Sequence, residues 1–588
     1  MKNLFAHTLI LLSFLSFVLQ AQPRLSKEWE TLFEKSSFLS SPSYSETMDY
    51  FKRLENHSPL ARMISIGKSP QGRDIYSIIV SKEKYFTPIE AKKSGKPIIL
   101  ITCGIHSGEI EGKDAGMLLL REILVTKEKE KYLDNAILLF VPIFSVDGHE
   151  RSSRYNRINQ NGPTEMGWRT TAQNLNLNRD WVKADAPEMQ ALLKFFNEWL
   201  PDFFIDSHTT NGADYQYTIT YGIEKFRTLY GGLSKEVTTS FIPYMENRMN
   251  ESGFLIAPYV GFKDGVLEKG IVDWASPPRF SNGYAAYQNR MGLLVETHML
   301  KPFKERVFST KAMFEIVLEY VNTNASKLVA LNKEADEMSI KNFTIDKEFF
   351  PISLKGTDET EPFIFKGIKF IKDSSEISGT TRITYTDEPF DLEIPFYNKT
   401  QVIDSVRVPK RYIIPKEWEL IVDRLKLHGV KVEKFNNSEE IKVTRYKFKD
   451  VKFQQNPYEG RHLVNADYDS FSETIRVNQG DYFVSTNQRA IRIITTALEP
   501  KSSDSFLRWG FMNSIFERKE YFEGYVMEKL APKMIEENPE LKIEFEKKLE
   551  SDEQFRKNPY ARLSFFYERS PYYDKNLNLY PIMMVEND

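Results

Sequence analysis

The chain has 588 residues, a single cysteine, 79 Lys and Arg against 82 Asp and Glu, and a formal net charge of -3. One cysteine cannot form a disulfide within the chain, so we expect stability to come from a large apolar core, in about three to four domains. Balanced and interspersed charges argue against nucleic acid or a strongly anionic molecule as a partner.

The first 21 residues are predicted to be a signal peptide. Lys2 precedes an apolar stretch over 9–19, and Ala21 supplies a small residue for cleavage. The stretch is too short and too close to the terminus for a confident membrane span, although an uncleaved anchor is the alternative. We therefore expect an exported protein, periplasmic or extracellular, with no membrane span in the mature chain.

Apolar runs alternate with helix-like segments from residue 59 onward. In chain order we predict strands over 61–67 and 74–80, a strand over 96–105, a helix over 110–125, a strand over 136–143, a helix over 186–200, strands over 203–206 and 293–295, and a helix over 308–331. Strands without polar alternation, separated by helices, predict an α/β fold whose sheet is mixed and mostly parallel, with helices on both faces. Sites in such folds lie at strand ends.

The composition and periodicity of the sequence change beyond residue 340. β-prone residues over 363–392 and 443–485 flank a helix predicted over 416–428, and amphipathic helices are predicted over 521–555. We expect four parts: the signal peptide (1–21), a catalytic domain (22–340), a β-rich accessory region (341–487) and a helical C-terminal region (488–588). No catalytic constellation is evident after residue 340.

A candidate metal site follows two of the apolar strands. The strand over 96–105 runs directly into His106-Ser107-Gly108-Glu109, and His208 ends a second apolar run. Two imidazoles and one carboxylate with an open position form a catalytic zinc arrangement, in which water can be activated. We predict one zinc ion per chain, held by His106, Glu109 and His208. Cys103 is expected to be a small apolar filler rather than a ligand.

With further motifs in the same order, the chain resembles the zinc carboxypeptidases of the carboxypeptidase A type, and specifically a larger bacterial exported member. The likeness spans about 59–302. Its motifs are Gln71-Gly72-Arg73, the His106 to Glu109 segment, Val146-Asp147-Gly148, Asn176-Leu177-Asn178-Arg179 and His208.

The resemblance implies roles for four more residues. Asn178 and Arg179 would bind the terminal carboxylate of the substrate, for which a guanidinium fork is well suited. Arg169 would stabilise the oxyanion, with Arg157 and Arg154 as rivals. Glu296, at the end of the strand over 293–295, would be the general base. His298 is expected to pack or support the site, and His57, His149, His428 and His462 are read as ordinary.

The chain departs from the family pattern at two places. Asn176 stands where the family usually has Asp, which could alter metal affinity or water acidity. The family's mobile loop tyrosine has no clear counterpart, because Tyr284 and Tyr287 are near but misplaced. The side-chain preference of the specificity pocket is therefore left unassigned.

Three functions stay open on the sequence. The favoured one is an exported zinc metallocarboxypeptidase that hydrolyses C-terminal bonds of peptides or peptide-like substrates with a free carboxylate. The second is a zinc amidase acting on acylated amino acids or peptidoglycan peptides. The third is a binding protein that kept the fold without catalysis, since fold alone does not fix function.

Overall fold

The computed structural model describes residues 27–210, 212–225 and 228–586. The predicted signal peptide, 1–21, lies outside these residues. Within them, no helix is both long and apolar enough to cross a membrane.

An eight-stranded sheet organises the first 300 residues of the described chain. The strands here are β1 (Ala61–Lys68), β2 (Asp74–Val80), β3 (Ile98–Cys103), β4 (Ile137–Val141), β5 (Phe203–Thr210), β6 (Ile219–Ile223), β7 (Ile256–Pro258), β8 (Ile271–Val272) and β9 (Met291–His298). All but β8 form the sheet, in the order β1-β2-β4-β3-β5-β9-β6-β7. Strands β4, β3, β5 and β9 are parallel, and β1, β2 and β6 are joined antiparallel. The predicted mixed, mostly parallel sheet is confirmed.

Helices cover both faces of this sheet. They are α1 (Leu32–Lys35), α2 (Tyr44–His57), α3 (Pro88–Ser94), α4 (Glu111–Leu124), α5 (Val146–Glu150), α6 (Pro187–Trp199), α7 (Gly231–Glu236), α8 (Ile242–Glu251), α9 (Ser281–Tyr287), α10 (Phe303–Thr323) and α11 (Ala325–Ile340). Successive residues of β3 enter different clusters: Ile99 packs with α4 and α10, and Leu100 packs with α6. This two-sided burial explains why the strand sequence lacks polar alternation.

The helix predicted over 308–331 is two helices. Asn324 lies between α10 and α11 with φ of -104° and ψ of 21°, outside the helical region. Both helices continue the same apolar spacing, so the periodicity alone could not locate the break.

The remainder of the described chain adds three smaller sheets. Its strands are β10 (Phe349–Gly356), β11 (Glu361–Ser374), β12 (Thr381–Tyr397), β13 (Thr400–Arg407), β14 (Arg411–Ile414), β15 (Glu433–Lys434), β16 (Glu439–Phe453), β17 (Val464–Val477), β18 (Tyr482–Ser485) and β19 (Met583–Val585). Its helices are α12 (Glu419–Leu427), α13 (Ile491–Leu498), α14 (Gly524–Glu537), α15 (Pro539–Ser551), α16 (Glu553–Lys557) and α17 (Pro559–Tyr567).

These sheets cross the boundaries drawn from the sequence. Strand β12 pairs with β8 of the catalytic part. Strand β19 pairs with β14 and β16 in the six-stranded sheet of the accessory region, although it lies in the region predicted to be helical. A three-residue strand carries too little pattern to be recognised alone, and its partners are more than 100 residues away.

Candidate active site

Two of the predicted metal ligands come from the loop between β3 and α4. Gly104 ends the strand with φ of 67°, a left-handed value that glycine adopts without a Cβ penalty. The N–H of Glu109 then donates to the carbonyl of His106 at 2.9 Å. This turn keeps the two ligands together at the carboxyl edge of the sheet.

His208 reaches the same point from the neighbouring strand, β5. Nδ1 of His106 lies 3.1 Å from Oε1 of Glu109, and Nδ1 of His208 lies 3.0 Å from Oε2. One ligand atom from each of the three buried residues lies within 4.8 Å of the others. Across the described ranges, no other group of His, Cys, Asp and Glu meets this spacing.

The Glu109 carboxylate is held at both oxygens. The N–H of Thr209 donates to Oε2 at 3.1 Å, and the guanidinium of Arg157 donates to Oε1 at 2.7 Å. Burial opposes ionisation, yet the neighbouring His106 and Arg157 hold the pKa of Glu109 well below its usual range. The group is therefore an anionic acceptor at neutral pH, as a metal ligand must be.

Each imidazole is fixed on its far side by an oxygen atom. Nε2 of His208 donates to Asp206 at 2.7 Å, and Nε2 of His106 donates to the amide oxygen of Asn176 at 3.0 Å. Burial lowers the pKa of His106 to about 4, so its ring is neutral at neutral pH. Burial works in the same direction on His208, but Asp206 outweighs it and raises the pKa of that ring.

This donor set fits a zinc ion. Two imidazole nitrogens and one carboxylate converge, which leaves a fourth tetrahedral position for water or substrate. The oxygens behind the two rings are the usual outer partners of metal-binding histidines, because they fix which nitrogen faces the metal. Cys103 is fully buried in the apolar core between the sheet and α4 and is not part of the donor cluster.

Glu296 lies directly beside the cluster. In the parallel pair β5 and β9, His208 is the register partner of Glu296. Burial, together with the carboxylates of Glu109 and Asp206, raises the pKa of Glu296 to about 8, against the opposing charge of His208. A half-buried carboxyl whose pKa lies near neutrality can accept a proton and return it.

A cavity of about 700 Å³ opens above these residues. Five of the seven predicted site residues line it: His106, Glu109, Arg169, His208 and Glu296. Its size is in the range of sites that hold a small peptide-like ligand.

The other two predicted residues, Asn178 and Arg179, lie just outside this lining. They occupy a short 3-10 turn, where the side-chain oxygen of Asn178 accepts from the N–H of Ser281 at 3.2 Å. The Arg179 guanidinium donates to its neighbour's carbonyl at 2.7 Å and lies 4.2 Å from the ring centroid of Phe280. Burial lowers the pKa of Arg169, and the charges of Arg157 and Arg179 lower it further, so the three arginines lie in one region.

Sequence reasoning missed Tyr259. It follows β7, lines the cavity, and its hydroxyl accepts from the Thr210 hydroxyl at 3.3 Å. Tyr284 and Tyr287 are instead buried in the core, with the Tyr284 hydroxyl accepting from Gln288 at 2.8 Å. The only signal for Tyr259 was an aromatic after a three-residue strand, too short to be recognised.

His298 serves packing, as expected. It is fully buried, stacks on Tyr215 with a centroid separation of 4.1 Å, and its Nε2 lies 3.1 Å from Asp214.

Comparisons with known proteins agree with this geometry. Residues 47–225 match the zinc carboxypeptidase family model. Carboxypeptidase 2 of Trichophyton tonsurans is 24% identical over 80% of this chain and 84% of its own length. Human carboxypeptidase A6 is 26% identical over 24% of this chain and 31% of its own. A metallo-carboxypeptidase structure from Pseudomonas aeruginosa has a TM-score of 0.37 and 15% identity, covering 49% of this chain and 70% of that one. The family match lies over the strands and loops that bring His106, Glu109 and His208 together, so the part of the chain that holds the candidate metal site is similar to the zinc carboxypeptidases.

Proposed function

We propose that the chain is an exported zinc metallocarboxypeptidase that releases C-terminal residues from peptides. The observation that carries the proposal is the buried His106, Glu109 and His208 cluster with Glu296 in register beside it. The family match supports peptide hydrolysis.

The proposed chemistry divides among the residues of the cavity. A zinc ion held by the three ligands would act as a Lewis acid, polarising the scissile carbonyl and acidifying water. Glu296 takes the proton of the attacking water and passes it to the leaving amine, so its carboxyl returns to its starting form. Arg169 donates hydrogen bonds to the oxygen that gains negative charge.

Asn178 and Arg179 restrict the reaction to chain ends. A guanidinium and an amide side by side can bind a terminal carboxylate with parallel hydrogen bonds, which an internal peptide bond cannot offer. Their place next to the cavity, with Arg179 close enough to influence Arg169, supports this role.

Export is proposed on the sequence of residues 1–21 alone. The two sequence relatives named above are fungal and human, so membership of the bacterial exported group also stays a proposal. N-terminal sequencing of the mature protein from the producing cell would locate a cleavage point near Ala21, and an intact N-terminus would contradict export by cleavage.

The test is hydrolysis of blocked dipeptides with a free C-terminal carboxylate, each beside its C-terminal amide. We expect zinc-dependent release from the free acids, little from the amides, and loss of this preference in Arg179→Met. Hydrolysis of acylated amino acids or muropeptides without any of plain peptides would instead support the amidase function. Zinc binding with no hydrolysis of any substrate would leave a binding protein.

A further inference from the structure

Arg157 points inward from a loop whose apolar and aromatic side chains point outward. Its side chain is 12% exposed, whereas Tyr155 and Ile158 are 84% and 94% exposed. Arg157 also has φ of 55°, a left-handed value uncommon for a residue with a Cβ. Such a conformation persists where surrounding contacts hold it, and it turns this one side chain toward the metal-ligand cluster.

The guanidinium of Arg157 binds the metal-ligand loop directly through Glu109 and indirectly through Gln160. It donates to Oε1 of Glu109 at 2.7 Å, and its Nε donates to Oε1 of Gln160 at 3.1 Å. The amide nitrogen of Gln160 in turn donates to the carbonyl of Gly108 at 2.9 Å. Arg157 and Gln160 thus hold both the backbone and the carboxylate of the segment that carries Glu109.

Gly108 leaves the space through which Arg157 reaches its partner. A Cβ at position 108 would lie 2.5 Å from Cγ and 2.8 Å from Cδ of Arg157, and 2.9 Å from the carbonyl oxygen of Gly167. The backbone carbonyl cannot move as a flexible side chain does, so any side chain at 108 would displace Arg157. The absence of a side chain at Gly108, between the two ligands His106 and Glu109, is therefore what lets the Arg157 side chain pass.

Arg169 approaches the same carboxylate differently. It lies 3.4 Å from Oε1 of Glu109, and 45% of its side chain is exposed, toward the cavity. The longer distance and greater exposure leave its donors available to a ligand in the cavity. Arg157 instead directs its Nε to Gln160 and one terminal nitrogen to Glu109.

We propose that Arg157 is a positioning residue that orients Glu109 for metal binding, and that glycine at position 108 is required because it leaves room for the Arg157 side chain. The proposal rests on the zinc site proposed above. With Oε1 held by Arg157, Oε2 is directed to the side where Nδ1 of His208 lies at 3.0 Å. Because the carboxylate is already fixed before the metal binds, metal binding costs less side-chain conformational entropy.

The test compares zinc affinity in Arg157→Gln and Arg169→Gln, measured on metal-free protein by competition with a chromophoric chelator. We expect Arg157→Gln to weaken zinc binding by about 10-fold to 100-fold, the effect typical of outer partners of metal ligands. Arg169→Gln should bind zinc as the wild type does while losing activity. Unchanged or tighter binding in Arg157→Gln would overturn the proposal, because removal of a positive charge alone favours a cation. An equal loss in both variants would also overturn it.

A double-mutant cycle keeps the test independent of general damage. Gly108→Ala should weaken zinc binding as Arg157→Gln does, and the double variant should lose little more than either single one, since both remove the same contact. Full additivity would contradict the coupling. Thermal unfolding of each metal-free variant checks folding, and Gln160→Ala, which keeps Arg157 but removes its brace, should give an intermediate loss. A wild type that binds no zinc would overturn the zinc site itself, a result distinct from normal zinc binding in Arg157→Gln.

Discussion

Nε2 of His106 lies 3.0 Å from the side-chain oxygen of Asn176, and the same oxygen accepts from the backbone N–H of Asn178 at 3.0 Å. One amide therefore orients a candidate metal ligand and the turn that carries the candidate carboxylate-binding pair. The family that this chain resembles usually has Asp here. A neutral amide supplies the acceptor without the charge.

Replacement of Asn176 should separate geometry from charge. Asn176→Asp keeps the acceptor and adds a negative charge behind the ring, so we expect zinc to bind several-fold more tightly. Asn176→Ala removes the acceptor, and we expect about 10-fold to 100-fold weaker binding. Chelator competition on both variants measures this. Equal affinities for Asp, Asn and Ala would mean that position 176 does not support His106.

Glu296→Gln should abolish proton transfer while leaving zinc in place. We expect kcat to fall by about 10²-fold to 10⁴-fold, because the amide cannot accept a proton from the attacking water. Steady-state kinetics with a free-acid dipeptide, beside zinc content by elemental analysis, measures both. Glu268→Gln, in an exposed 3-10 turn, is the control and should keep full activity. A zinc-loaded Glu296→Gln variant with normal kcat would exclude Glu296 as the base.

Arg461 should tie the accessory region to the catalytic part. Its Nε and one terminal nitrogen donate to the two oxygens of Asp185, each at 2.7 Å, and the pair is largely buried. We expect Arg461→Leu to lower the free energy of unfolding by about 1–3 kcal/mol, because it leaves part of a carboxylate unpaired.

Urea unfolding of Arg461→Leu, compared with Arg382→Leu, tests that expectation. Arg382 pairs with Asp373 on an exposed hairpin, with side chains 60% and 44% exposed, so its loss should change stability little. Since Asp185 is a few residues from Arg179, Arg461→Leu should also raise KM for free-acid substrates. Equal stability losses in the two variants would argue against a tie between the regions.

Glu499 should make the chain less stable as the pH rises. Burial raises its pKa from 4.5 to about 7, and the Tyr412 hydroxyl donates to it at 2.6 Å. Below pH 4.5 the group is protonated in both states. As the pH rises toward 7, the unfolded chain ionises first, so the stabilising contribution of the bound proton is lost.

The variant Glu499→Gln stays neutral and still accepts from Tyr412, so we expect it to be about 2–3 kcal/mol more stable than the wild type at pH 8. The gain should shrink at pH 5. Urea unfolding at both pH values measures it, with the exposed Glu537→Gln as a control that shifts neither. A gain that is the same at pH 5 and pH 8 would contradict the ionisation argument.

Apolar patterning predicted six strands of the sheet, the burial of the parallel ones on two faces and the three donors at the sheet edge. An apolar run such as the one before His106 indicates a buried strand. Polar residues directly after such runs lie together, because parallel strands end at the same edge of a sheet. The residue types of the site, two imidazoles and a carboxylate, then predicted a zinc ion.

Contacts between residues far apart in the chain followed from tertiary packing and not from local pattern. The register of β5 against β9 puts Glu296 beside His208. Packing brings Tyr259, which no local pattern predicts, to the cavity, and it directs Arg157, a candidate from the sequence, to Glu109. The same holds for β19, which is a strand because β14 and β16 offer it backbone partners. Local spacing records which face a residue takes, whereas distant contacts depend on how whole elements pack.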